Sequence, residues 1–518
     1  MFIGVTVLFL LILCFAIASS AYSTETEIEQ YHVCEIRLHS GTTHENPFNV
    51  DVSAAIRGPE ERELDVPGFY DGDGVWKIRF SPDAIGDWLW STTSGDPKLN
   101  DQAGRLKCVP NTHPQIHGGL MIDKDHPRHF IYQDGTRYFL MGYECDWLWA
   151  LDLGKPDTHH LEAFVDEISK YGGFNHIVTQ AYAHYTKWAM DIPMPLRIAP
   201  TQLYAWEGTN ESPDHSRFDL KYWQHYDRMM GLLQEKGIIA HIMITVWNKF
   251  VNWPEQKSAD DNKFWKYVLA RYQAYSNVVW DVSKEAQNRP DEYWEDRFEF
   301  IKEYDAHRRL VTIHSLWHRH EDLKQRYCDF IADQQHREWH KHIIDRRKFI
   351  QRPVVNIEFG YEVGPVETYR VKQGPDEVRR RMWLICMAGG YAAYYYNPTA
   401  WDVISHEVIP PGYSYCKYLY NFFTGTRYWE MEPRDDLVDN GYCLAKEGEE
   451  YIVYISEADA VTLSVQGVES PLAARWYNPR SGQEVRMEGR IENGTHTLQP
   501  PDDFGHGDVV LHISPEAP

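Results

Sequence analysis

The alternation of apolar and polar residues changes rhythm twice along the chain. From about Ile28 to Thr112 it is short and two-residue in period, as in Trp76-Lys-Ile-Arg-Phe80 and Trp88-Leu-Trp90, and it is cut by Gly58-Pro59, Pro67-Gly68 and Asp71-Gly-Asp-Gly74. Such alternation with frequent turn signals predicts a β-sandwich over 28–112. Between about Arg137 and Val403, eight apolar runs alternate with longer amphipathic stretches. The runs are Tyr138–Gly142, Phe174–Thr179, Ile238–Thr245, Val278–Trp280, Leu310–His314, Phe330–Ala332, Pro353–Ile357 and Tyr391–Tyr396. Spacers such as His160–Ser169 and Tyr293–Glu303 carry apolar residues at helical spacing. Eight strand-helix units predict a parallel barrel, here over 113–425. From about Gly425 alternation returns, in Tyr451–Ile455, Val461–Val465 and Ala474–Tyr477, so 426–518 reads as a second, smaller sandwich. The expected fold class is therefore a multidomain α/β and all-β chain, a central (β/α)8 TIM barrel flanked by two β-sandwiches.

Residues Phe2 to Ala18 are an apolar run closed by Ala18-Ser-Ser-Ala21, which predicts a secretory signal over 1–21, with an uncleaved membrane anchor as the alternative. Export to the periplasm or the extracellular space is the expected destination. The seven later cysteines are odd in number and show no C-x-x-C spacing, which argues against a disulfide framework and a zinc ribbon. Cys34 and Cys108 read either as a bridge across the first domain or as free thiols. Asp71-Gly-Asp-Gly74 lacks the bidentate Glu of a calcium loop and reads as a tight turn.

Charge narrows the partners. Lys plus Arg number 52 against 76 Asp plus Glu, a net −24 that repels a phosphate backbone, so nucleic acid is not expected. The 19 Trp and 33 Tyr suit a ligand that offers flat apolar faces and many hydroxyls, which points to carbohydrate. A Walker loop, a G-x-G-x-x-G after a strand and a G-x-S-x-G elbow are all missing, so neither a nucleotide cofactor nor any other cofactor is expected. His336 and His340 are spaced for a helical zinc pair, but no Glu follows the first, and no metal site is predicted.

Barrel enzymes carry their chemistry where strands end, and two glutamates stand there: Glu285 after the fourth run and Glu358 after the seventh. Those strands lie across the barrel mouth from one another. Glycosidic cleavage needs such a pair, one acid to protonate the leaving oxygen and one carboxylate to attack or assist. Other strand ends carry groups suited to hydroxyl recognition: Asp146 and Trp147, His184, Trp247 and Asn248, His314 and Trp317, His336, Tyr361, and Trp401.

Pro353–Glu362 and Tyr391–Val403 resemble strands seven and eight of apiosidase-like glycoside hydrolases, within a retaining clan that uses strand-four and strand-seven glutamates. Asn46-Pro-Phe48, Pro67–Gly74 and Arg79–Pro82 are similar to the immunoglobulin-like domain preceding such barrels. Ala474–Pro479 resembles the collagen-binding-like sandwich that follows them. The resemblance implies a secreted glycosidase with Glu358 as nucleophile and Glu285 as acid/base, a carbohydrate substrate, and binding of an extracellular polymer by the sandwiches. The clan has Asn directly before the strand-four glutamate, and this chain has Lys284. An ammonium there reads as a donor to the same sugar hydroxyl or as a solvent-facing group, with Asp281 as fallback acid. A carbohydrate binder without catalysis is the competing function.

Overall fold

The computed structural model describes residues 26–184, 203–364, 373–399 and 408–515. The predicted signal segment and Trp401 lie outside them.

Eight strand positions form the central barrel. They are β1 (Met141–Glu144), β2 (His176–Gln180), β3 (Ile239–Val246), β4 (Val278–Lys284), β5 (split into Val311–Thr312 and His314–Leu316), β6 (Ile331–Gln334), β7 (Val354–Glu358) and β8 (Tyr391–Tyr395). All pair in parallel, β8 closing on β1, while the first half of β5 pairs with β4 and the second with β6. Asp281 bridges that break, because its Oδ1 accepts from the backbone N–H of His314 and Ser283, 3.0 Å each. Its Oδ2 meets His241 Nε2 at 3.1 Å, and His241 in turn meets His176 across 3.0 Å inside the barrel. The candidate fallback acid is thus built into the wall.

The helices are α1 (His159–Glu167), α2 (Leu220–Glu235), α3 (Ala259–Tyr272), α4 (Asp291–Tyr304), α5 (Glu321–Tyr327), α6 (Trp339–Phe349), α7 (Pro375–Met387) and α8 (Gly412–Thr424). Polar caps set where some of them start: Asp219 accepts from Lys221 N at 2.9 Å to begin α2, and Ser258 accepts from Asp261 N at 3.2 Å to begin α3. The first apolar run divides. Arg137–Tyr138 pairs with Phe130–Tyr132 across the Asp134-Gly135 turn, and the barrel strand begins only at Met141. That small antiparallel sheet packs Phe130 against Phe330 and Tyr391, ring centroids 5.4 Å apart in each case.

The N-terminal region holds a five-stranded and a three-stranded sheet around Trp76, Ile78, Trp88 and Leu106. The Asp71–Gly74 stretch is the hairpin turn between Phe69–Gly72 and Val75–Phe80, with Asp73 and Gly74 both at positive φ. Cys34 and Cys108 are free thiols. The seam to the barrel is ionic. Arg79 and Arg271 both grip Asp227 of α2, Arg271 also bonds Asp71 at 2.7 Å, and both guanidiniums lie over the Phe69 ring. At the other end a six-stranded and a two-stranded sheet enclose Val453, Leu463, Trp476 and Leu511. That sandwich is pinned to α7 by Arg379 on Asp508 and by Trp383 stacked on Tyr454.

Candidate active site

Glu358 is the last residue of β7 and is only 3% exposed. A register shift between β6 and β7 sets Gln334 beside it, and the Gln334 amide donates to Oε1 at 2.7 Å. The Tyr361 hydroxyl donates to the same oxygen. Lys284 Nζ stands 3.4 Å and His314 Nε2 3.6 Å from Oε2, and His336 Nε2 lies 3.8 Å from Oε1. Burial alone would raise the carboxyl's pKa, but the Lys284 ammonium, with His314 and His336, holds it well below the usual range. The turn that follows requires Gly360 at φ 135°, because a Cβ there would sit 1.7 Å from the Gln373 amide nitrogen.

Glu285 follows β4 directly in a left-handed conformation, φ 55°. Such a backbone costs a non-glycine residue about 1–3 kcal/mol and is concentrated at functional sites. It is half-buried and accepts from the Gln287 side chain. Its charge acts on the Tyr361 hydroxyl, as does that of Glu358, and on the Lys249 ammonium, so both carboxyls lie in the neighbourhood of Tyr361.

Lys284 points inward and is 2% exposed, which disposes of the solvent-facing alternative. Its ammonium contacts Glu144 Oε1, Asp146 Oδ1 at 3.4 Å, the Tyr395 hydroxyl at 3.2 Å and Glu358. A second buried lysine, Lys249, lies 3.3 Å from Asp146 Oδ2. The three carboxyls beside these ammoniums divide. Burial pushes Glu144 well up, with the neighbouring charges of Asp146 and Glu358 adding to it against Lys284. For Asp146 burial is outweighed by Lys284 and Lys249, and its pKa falls.

The remaining candidates spread around this centre. Trp147 is buried against Trp149, ring centroids 5.4 Å apart. His184, its pKa lowered by burial, stands beside Tyr204. Trp247 is half-buried, but one face is covered by the Arg289 guanidinium, 3.6 Å from the ring centroid. Asn248 is half-buried, and its Oδ1 makes no hydrogen bond. Trp317 is 44% exposed and leans on His342 of α6, over a groove of about 260 Å³ between α5 and α6 rather than beside Glu358. Gln334, Lys249 and Tyr395 were not singled out in the sequence. Gln334 lies two residues beyond the sixth apolar run and Tyr395 inside the eighth, so their polar ends were masked by the strand pattern.

A TIM barrel with an ionised glutamate closing β7 and a second glutamate after β4 is an architecture of the glycoside hydrolase class. The chain belongs to the apiosidase-like family, whose catalytic-domain model matches residues 124–430. Residues 27–95 match a domain of unknown function, DUF5060, and residues 434–514 one described as a collagen-binding domain of a collagenase. Among solved structures, a Bacteroides vulgatus protein described as a glycoside hydrolase superposes with a TM-score of 0.79 at 19% identity, covering 95% of this chain and 100% of its own. A family 5 glycoside hydrolase of the same organism gives a TM-score of 0.61 at 17% identity, over 78% of this chain and 94% of its own. No curated protein sequence matches the chain.

Proposed function

We propose that the protein is a retaining glycoside hydrolase that cleaves a polysaccharide or oligosaccharide by double displacement, with Glu358 as nucleophile and Glu285 as acid/base. The observation that carries this reading is the difference between the two carboxyls. Glu358 is buried and kept ionised by an ammonium, as an attacking carboxylate must be, whereas Glu285 stands half-buried directly after β4, more open to solvent, as suits a proton donor to a leaving group.

In the first step a Glu358 oxygen attacks the anomeric carbon while Glu285 gives its proton to the departing glycosidic oxygen. This leaves a glycosyl ester on Glu358 and an ionised Glu285. In the second step Glu285 takes a proton from water, the hydroxide oxygen attacks the same carbon, and Glu358 leaves as the carboxylate. Trp147, His184, Asn248, His336 and Tyr361 are the proposed contacts to the sugar. The chemistry requires no cofactor.

The test is a panel of polysaccharides and aryl glycosides. Glu358→Gly should lose turnover on whatever the parent cleaves, and added azide should restore bond cleavage as a glycosyl azide of inverted configuration. Turnover without azide would overturn the assignment. We also propose that residues 1–21 direct export, tested by the N-terminus of the protein recovered outside the cell. Binding of an extracellular polymer by the sandwiches is tested by sedimentation with insoluble polysaccharide and with collagen.

A further inference from the structure

We infer that Lys284 is a positioning residue, the fixed counter-ion of Glu358, rather than a donor to a sugar hydroxyl. The inference rests on the proposal that Glu358 is the nucleophile. An ammonium has three hydrogens, and Glu144, Asp146 and the Tyr395 hydroxyl take all three, while Glu358 Oε2 lies 3.4 Å away as an ion pair. None is left for substrate. The side chain is buried at the barrel mouth with its nitrogen 4.9 Å from the Tyr395 ring centroid, so it is held in place.

The groups facing Glu358 come from every element packed against it. They are Glu144 and Asp146 from β1 and its end, Lys284 and Glu285 from β4 and its end, His314 from β5, Gln334 and His336 from β6 and its end, Tyr361 from the loop after β7, and Tyr395 from β8. Among the three carboxyls beside the two lysines, Glu144 has one oxygen that makes no hydrogen bond, and burial favours its neutral form. Lys249 stands 3.3 Å from Asp146 Oδ2 and shares that carboxylate with Lys284, whose ammonium also lies 3.4 Å from Glu358 Oε2.

This arrangement has a consequence in each half-reaction. Before attack, Lys284 keeps the carboxylate ionised at low pH. After the ester forms, the same ammonium favours departure of Glu358 as the carboxylate, since it recovers a counter-ion when the carbon–oxygen bond breaks.

The experiment compares the parent with Lys284→Met, Lys284→Ala and the double variant Lys284→Met/Glu144→Gln, which removes a buried carboxyl along with the ammonium and guards against misfolding. Two readouts are taken against pH: carbodiimide labelling of Glu358, followed by mass spectrometry, and kcat/KM on a substrate the parent cleaves. Loss of the ammonium should move the labelling midpoint and the acid limb upward by about one unit or more. Methylammonium should return both toward the parent values in Lys284→Ala. Midpoints unchanged in a variant that melts cooperatively would overturn the inference. Failure of the nucleophile reading would show separately, as turnover by Glu358→Ala, because labelling does not depend on activity.

Discussion

At the seam between the N-terminal sandwich and the barrel, Asp227 receives four hydrogen bonds from Arg79 and Arg271, at 2.7–3.1 Å. At the barrel mouth, Glu358 Oε2, Glu144 Oε2, both ring nitrogens of His314 and the Gln180 amide are buried without a hydrogen bond. Both clusters are buried and charged, yet only the first is saturated. A buried polar group that lacks a partner costs about 1–3 kcal/mol, so the seam holds its charges at less cost in protein contacts than the mouth does. The seam is built for cohesion, and the mouth is where the proposed chemistry takes place.

That contrast breaks first at Glu358. Glu358→Ala should lower kcat by at least about a thousandfold, while its melting temperature changes far less than that of a seam variant. Asp227→Ala should do the reverse. It strands two buried guanidiniums, and a loss of about 3–5 kcal/mol is expected in denaturant unfolding, with activity per folded molecule retained. Equal damage to both properties in both variants would erase the distinction. Glu285→Ala should slow substrates with poor leaving groups by about 10²–10⁴-fold and spare the first step for very acidic leaving groups, read from stopped-flow bursts.

The smallest effect sharpens the boundary between the two regions. Glu362 lies four residues beyond Glu358 and accepts from the Tyr394 hydroxyl at 2.8 Å and from Gly412 N at 3.1 Å, tying β8 to the start of α8. Burial pushes its pKa up to about 7. The folded chain therefore holds this proton more tightly than the unfolded chain. The stability it contributes is full below the ordinary carboxyl range and is lost as pH rises through about 7. Melts of the parent should fall from pH 5 to pH 8, and Glu362→Gln should flatten that slope. An identical slope in the variant would assign the pH dependence to other groups.

The eight apolar runs, the two regions of alternation and the positions of Glu285 and Glu358 at strand ends were legible in the chain itself. Periodicity follows from which face each residue buries, and that is a local property of the sequence. The exception is instructive: Tyr138 and Met141 lie in one apolar run, but the Asp134-Gly135 turn draws Tyr138 into a separate antiparallel sheet. Trp317 and Trp247 were readable as rim aromatics, yet one leans on α6 and the other is covered by Arg289.

Sequence by itself determined the architecture and the strand-end places of Glu285 and Glu358, because burial period and strand-end position are written within each segment. Only the tertiary structure decided the electrostatics. Lys284 adjoins Glu285 in the chain, but the inward turn of its side chain gives its charge to Glu358, 74 positions away. Asp281, equally acidic on paper, is consumed by His241 and by the split in β5. The physical reason is that a carboxyl's protonation depends on burial and on charges within a few ångströms, and both are set by residues from different strands that meet only when the barrel closes.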